Sequence, residues 1–150
     1  MSVFPSVVSD PITPTSANPF FAHAAPDLVL LIDDDDFISD IVEQILTRSG
    51  RRVLRARNGA EGQQFFEAHQ MEIVLVMLDR FLPDLDGVSL CRSLRQKSPH
   101  LPMILMSGMD VPAAAELAAK GPTVFLSKPF FASQLRELVA AQLAAVTHTQ

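Results

Sequence analysis

The stretch "LIDDDDF" at residues 31–37 places four aspartates at the end of an apolar run. Carboxylates a few ångström apart repel by about 4 kcal/mol per pair at a near-surface dielectric. Such a cluster is either a screened loop or a place that holds something positive. Three more apolar runs end in residues with chemistry of their own: "EIVLVML" in Asp79, "PMILM" in Ser107 and "TVFLS" in Lys128. If these ends converge, three carboxylates, a hydroxyl and an ammonium share one edge. Carboxylate oxygens suit Mg²⁺, a hard cation that takes one or two carboxylates together with waters and phosphate oxygens. A lysine and a hydroxyl beside it complete a phosphate-binding site. Phosphoryl transfer asks mainly for positioning and charge neutralisation, so this inventory is sufficient for it. An aspartate can itself be the nucleophile, forming an acyl phosphate.

The elements that must position these groups alternate regularly from residue 27. "LVLLI" (28–32) reads as a strand, and "FISDIVEQILTRSG" as a helix with Ile38, Ile41, Val42, Ile45 and Leu46 on one face and Gly50 as its stop. "RRVLRA" is strand-like and "AEGQQFFEAHQ" helical. "GVSLCRSLRQKS" is a third helix and "PAAAELAAK" a fourth, with Pro112 in its first turn. "ASQLRELVAAQLAAV" is the fifth. Five continuous apolar strands alternating with five helices predict an α/β fold, a doubly wound parallel sheet covered on both faces. In such sheets ligands bind beyond the carboxyl ends of the strands, where Asp33, Asp34, Asp79, Ser107 and Lys128 all fall. Asp35 and Asp36 read as helix N-terminal acids, and Asp86-Gly87 as a turn and helix start.

The remaining composition narrows the function. A 150-residue chain with 48% hydrophobic and 19% charged residues supports one domain with a real core. A formal charge of −5 argues against general affinity for nucleic acid or anionic membrane. The basic stretch "RSGRRVLRAR" falls on an expected edge strand, where charge blocks edge-to-edge pairing. The single cysteine, Cys91, reads as a buried apolar residue, in keeping with a reducing cytosol, and the four histidines have no zinc spacing. No apolar run nears the roughly 20 residues that span a bilayer. Residues 1–26, with five prolines, read as a flexible arm carrying Phe4, Val7, Val8, Phe20 and Phe21; the domain is expected over 27–146 and a tail over 147–150.

Over residues 27 to about 146 the chain resembles a response-regulator receiver domain of two-component signalling. "LLIDDDD" is similar to that family's acidic pair after the first strand. "LDRFLPDLDG" resembles its phosphoacceptor motif, in which proline stands at +4 and Asp-Gly at +7 and +8, here Pro83, Asp86 and Gly87. "ILMSG" resembles its strand 4 hydroxyl motif, and "FLSKPF" its Lys-Pro-Phe motif. The resemblance implies a flavodoxin-like sheet of strand order 2-1-3-4-5, with Asp79 as the phosphoryl acceptor. It implies Mg²⁺, or Mn²⁺ in its place, on Asp33, Asp34, Asp79 and the backbone carbonyl of Phe81. Ser107, the Gly108 amide and Lys128 would hold the phosphoryl oxygens, with a cis bond between Lys128 and Pro129. Phe125 would be the switch aromatic, paired with Ser107.

Three departures from the family pattern carry expectations. Glu72 lies further before the phosphoacceptor than usual, which predicts a longer or irregular start to the third strand. Phe125 replaces the common tyrosine, so switching relies on ring burial and not on a bond to Ser107. Phe81 and Met109, two residues beyond the acceptor and the hydroxyl residue, flank the path of attacking water. Both are large and apolar, which predicts slow self-dephosphorylation. Only "THTQ" follows the last helix, so the expectation is a single-domain, cytoplasmic regulator, monomeric or dimerising on phosphorylation, and not a conventional enzyme. Its phosphodonor would be a histidine kinase or histidine phosphotransfer protein, and its target would be met through the fourth helix, fifth strand and fifth helix. Two rivals stand beside this reading. One is a phosphorylation-independent binding module. The other is a haloacid-dehalogenase-like phosphatase, which lacks its further acidic pair here and leaves Asp79 without a role.

Overall fold

Leu28–Ile32 form β1, and all five side chains are buried because helices cover both faces of this strand. The computed structural model describes residues 27–148; the arm read at 1–26 and the last two residues lie outside the described residues. After β1 come α1 (Asp36–Arg48), β2 (Arg52–Ala56), α2 (Gly59–Ala68), β3 (Ile73–Asp79), α3 (Gly87–Lys97), β4 (Met103–Ser107), α4 (Ala114–Ala119), β5 (Thr123–Ser127) and α5 (Ala132–His148). The strands form one parallel sheet in the order β2-β1-β3-β4-β5. This is the five-stranded, doubly wound arrangement expected from the sequence.

Strand side chains alternate between faces, so one strand feeds two cores. Leu28, Leu30 and Ile32 join Phe66, Leu78, Leu90, Leu94, Leu105 and Leu117 against α2, α3 and α4. Val29 and Leu31 join Val42, Leu46, Met77, Met106, Leu135 and Val139 against α1 and α5. Burying the 26 apolar residues of these layers, at about 1.5–3 kcal/mol for a large side chain, is what holds the strand ends in place. Cys91 is among them, as expected.

The edge strand β2 is more exposed, and its arginines pair outward. Arg52 meets Asp27 and Glu72, and Arg55 meets Asp40 and Glu43. β3 carries the expected irregularity: Leu28 pairs with Ile73 but Val29 with Leu75, so Val74 is an extra residue, a bulge at the strand's start.

Helix boundaries differ from the sequence reading by one or two residues at several ends. The fourth helix covers only Ala114–Ala119, so Pro112 lies in the turn before it and not in its first turn. Ala113 at the cap position makes no side-chain bond, which leaves nothing to start the helix earlier. The fifth helix runs to His148, two residues beyond the expected Val146.

Candidate functional site

The four aspartates of the opening cluster separate into different tasks. Asp33 is buried, and both its oxygens are used: Oδ1 accepts from the Asp35 amide at 2.9 Å and Oδ2 from the Lys128 ammonium at 2.9 Å. Asp34 is exposed. Asp35 caps α1, its Oδ1 accepting from the Ile38 amide at 3.2 Å. Asp36 opens the helix and pairs with Arg57 and Arg55. Asp35 and Asp36 are therefore the helix N-terminal acids expected from the sequence.

Asp79 ends β3, beside β1 and β4 in the sheet. Lys128 follows β5 and reaches across to Asp79 Oδ1 at 3.2 Å while bonding Asp33. One carboxylate oxygen from each of Asp33, Asp34 and Asp79 lies within 4.8 Å of the other two. Three carboxylates facing one ammonium leave two uncompensated negative charges, and the donors are all hard oxygens. That set fits Mg²⁺ or Mn²⁺, with Asp34 on the open side. Burial pushes the Asp79 carboxyl above its ordinary pKa; Lys128 opposes this, and the charges of Asp33 and Asp34 add to it. Burial works against the Lys128 ammonium too. The bond to Asp33 and the charges of Asp33 and Asp79 outweigh it, so its pKa rises.

The backbone is fitted as closely as the side chains. Gly87 opens α3 against the Asp79–Arg80 peptide, its amide donating to the Arg80 carbonyl at 2.7 Å. A methyl there would lie 2.3 Å from the Asp79 carbonyl oxygen, so only glycine admits this approach. Asp86 caps the same helix through the Val88 amide. Phe81 faces Asp86 across an antiparallel bridge. The Lys128–Pro129 bond is cis, as expected.

Ser107 is buried at the end of β4, but its hydroxyl is turned to its own loop. It donates to the Met109 carbonyl at 2.8 Å and accepts from the Met109 amide at 3.1 Å. Gly108 lies beside Lys128, whose amide donates to the Ser107 carbonyl. Phe125 is half-buried at the edge of the α2–α4 core. A cleft of about 320 Å³ runs between it, Ser107, Met109, Val111 and Ala114. Phe81 and Met109 are 55% and 68% exposed.

Two residues were not anticipated. Asp84 accepts from the Gly59 and Ala60 amides at 2.7 and 2.9 Å, tying the loop after β3 to the start of α2 and holding its own carboxyl below the usual range. Arg80 reaches the Asp110 carbonyl in the neighbouring loop. Their partners lie 25 and 30 residues away in sequence, so no local spacing could have revealed either contact.

The comparisons with known proteins agree with this fold. Residues 29–140 match the response regulator receiver domain family. The chain is 36% identical over 124 residues to the transcriptional regulatory protein CseB of Streptomyces coelicolor, covering 80% of this chain and 50% of that one. It is 30% identical over 116 residues to the alkaline phosphatase synthesis transcriptional regulatory protein PhoP of Bacillus subtilis, covering 77% and 48%. The chain thus spans about half the length of the curated relatives it matches. Among solved structures it is similar to a receiver domain protein from Clostridium thermocellum, with TM-score 0.76 and 25% identity over 83% of this chain and 99% of that one. It is similar also to the receiver domain of NtrX from Brucella abortus, with TM-score 0.69 and 28% identity over 77% and 98%. No helix among the described residues is long and apolar enough to cross a membrane. Receiver domains are signalling modules of two-component systems, not conventional enzymes, and this chain belongs to the response regulator receiver domain family.

Proposed function

We propose that this chain is a phosphorylation-activated response regulator of the cytoplasm that accepts a phosphoryl group on Asp79 from a phosphohistidine of a histidine kinase or phosphotransfer protein. The observation that carries this reading is the Lys128 ammonium held between Asp33 and Asp79, with Asp34 completing a compact acidic group. Asp33, Asp34, Asp79 and the Phe81 carbonyl would hold Mg²⁺, or Mn²⁺ in its place. When bound, the cation neutralises phosphoryl oxygens and orients the group for in-line transfer.

The chain's own residues supply the rest. An Asp79 carboxylate oxygen bonds to phosphorus as the phosphorus–nitrogen bond to the donor histidine breaks, and the imidazole leaves with that electron pair. Lys128 exchanges its contact with Asp79 for a phosphoryl oxygen while keeping Asp33, so its charge stays in the site throughout. The Ser107 hydroxyl has one proton. To donate to a phosphoryl oxygen it must leave the Met109 carbonyl, helped by the Gly108 amide nearby. That turn vacates space toward the cleft lined by Phe125, and inward movement of the ring would carry the change to the α4–β5–α5 face, where the target protein binds. The side chains of Phe81 and Met109 present no hydroxyl, amide or charged group to orient a water, which favours a long-lived acyl phosphate.

Intact mass after incubation with acetyl phosphate and Mg²⁺ tests this. Wild type should gain one phosphoryl group, while Asp79→Asn and wild type in excess chelator should gain none. An adduct that persists in Asp79→Asn rejects the assignment.

A further inference from the structure

Arg80 follows Asp79 directly but takes no part in the acidic group. Its guanidinium carbon lies 5.0 Å from the centre of the Phe81 ring, and its Nη1 donates to the Asp110 carbonyl at 2.7 Å. Its Nε is buried without a hydrogen-bond partner among the described residues. Leaving that donor buried and unpaired costs stability, so the side chain's own hydrogen bonding does not account for its placement. Arginine suits the position because a flat guanidinium can meet a ring face and still donate from its edge.

The two contacts belong to different loops. Phe81 lies in the loop after β3. Asp110 lies in the loop after β4, next to Met109, whose amide and carbonyl hold the Ser107 hydroxyl. The base of the bridge is fixed as well: the Arg80 amide donates to the Met106 carbonyl at 2.8 Å, and its carbonyl accepts from Gly87. One side chain therefore ties the ring of Phe81 to the loop that carries Met109.

We propose that Arg80 is a positioning residue that holds Phe81 and Met109 together at the mouth of the site and so sets how long an acyl phosphate survives there. The inference rests on Asp79 being the phosphoacceptor. In the hydrolysis concerned, a water oxygen bonds to phosphorus and the bond between phosphorus and the Asp79 oxygen breaks. The carboxylate leaves with the electron pair, and the water's protons pass to the released phosphate and to solvent. Arg80 touches none of these atoms. It acts by keeping two apolar groups from separate loops beside the path of the water.

The test follows decay of the phosphoryl adduct by intact mass after removal of acetyl phosphate. It compares wild type, Arg80→Met, Arg80→Lys, Met109→Ala and the Arg80→Met/Met109→Ala double variant, with Mg²⁺ affinity measured alongside. Arg80→Met should shorten the lifetime about fivefold or more, the scale of one charged hydrogen bond lost. Mg²⁺ affinity should stay within about twofold of wild type, because the guanidinium contacts none of the three carboxylates. Arg80→Lys should recover part of the lifetime, since it keeps a cation near the ring and one donor. In the Met109→Ala background the same Arg80 change should have little further effect, because one of the two shields is already gone. An adduct of unchanged lifetime in Arg80→Met overturns the role of Arg80 alone. Equal losses in the Met and Lys variants, with Mg²⁺ affinity falling in step, overturn it in favour of a purely structural part. If Arg80→Met does not fold, Arg80→Lys with and without Met109→Ala decides by the same non-additivity. A wild-type chain that takes no phosphoryl group overturns both this inference and the reading beneath it.

Discussion

Gly87 ties the chemistry of Asp79 to the backbone. A Cβ at this position would lie 2.3 Å from the Asp79 carbonyl oxygen, so Gly87→Ala must push the Asp79–Arg80 peptide out of place. This change should cost about 1–3 kcal/mol of stability, read by urea denaturation, and should slow phosphoryl uptake from acetyl phosphate. Asp-Gly at this spacing was legible in the sequence as a turn and helix start, but its reason, a close backbone approach eight residues downstream of the acceptor, was not. Asp33, Asp79, Ser107 and Lys128 were legible because each ends a continuous apolar run, and a parallel sheet brings such ends to one edge. The present direction of the Ser107 hydroxyl was not legible, since a serine can bond its own loop as readily as a ligand. Phe81 and Met109 carry the rate prediction at this scale. Replacing both by polar residues should shorten the acyl phosphate lifetime by about tenfold or more if a positioned water is then admitted, and an unchanged lifetime would sink the shielding argument.

Among the described helices, α4 is the shortest and the least anchored. It has six residues, buries only Leu117 and lacks a side-chain cap, whereas α1 has thirteen residues, a capping aspartate and three buried positions. Short uncapped helices are marginal unless packing holds them. Hydrogen exchange should find the amides of Ala114–Ala119 at least about tenfold less protected than the centre of α1, the factor that a single lost cap supplies, and their exchange should change on phosphorylation. Equal protection in both helices, unaffected by phosphorylation, would remove α4 from the switch. The sequence overestimated this helix because alanine favours helix at every position and marks no boundary, so Pro112 drew the start too early. It anticipated an irregular start to β3, though not its place at Val74, because Glu72 stands further from Asp79 than usual and an extra residue in a strand has to be absorbed somewhere.

Across the whole molecule, folding drives like charges together at one end of the sheet. The folded-state pKa of Asp79 lies above its ordinary value, so the native protein binds that proton more tightly than the unfolded chain. The stabilising contribution of the protonated form is complete at acid pH and is lost as pH rises through the raised pKa, so the charged form costs stability at neutral pH. Asp79→Asn should therefore melt higher than wild type at pH 7 without Mg²⁺, by about 2–4 °C for each kcal/mol recovered at this size. The difference should shrink as pH falls into the carboxylate range and as Mg²⁺ is added to wild type. A variant that melts lower at pH 7 would mean that the Lys128 contact outweighs the burial and repulsion.

The central claim is that Asp79 itself carries the phosphoryl group, and reductive trapping reads it most directly. Protein treated with acetyl phosphate and Mg²⁺, then reduced with borohydride, converts an acyl-phosphorylated aspartate to homoserine, which peptide mapping locates. The account predicts homoserine at position 79, with Asp33 and Asp34 unchanged. Homoserine at either of those two positions, or at none in a protein that has gained phosphate, would contradict it.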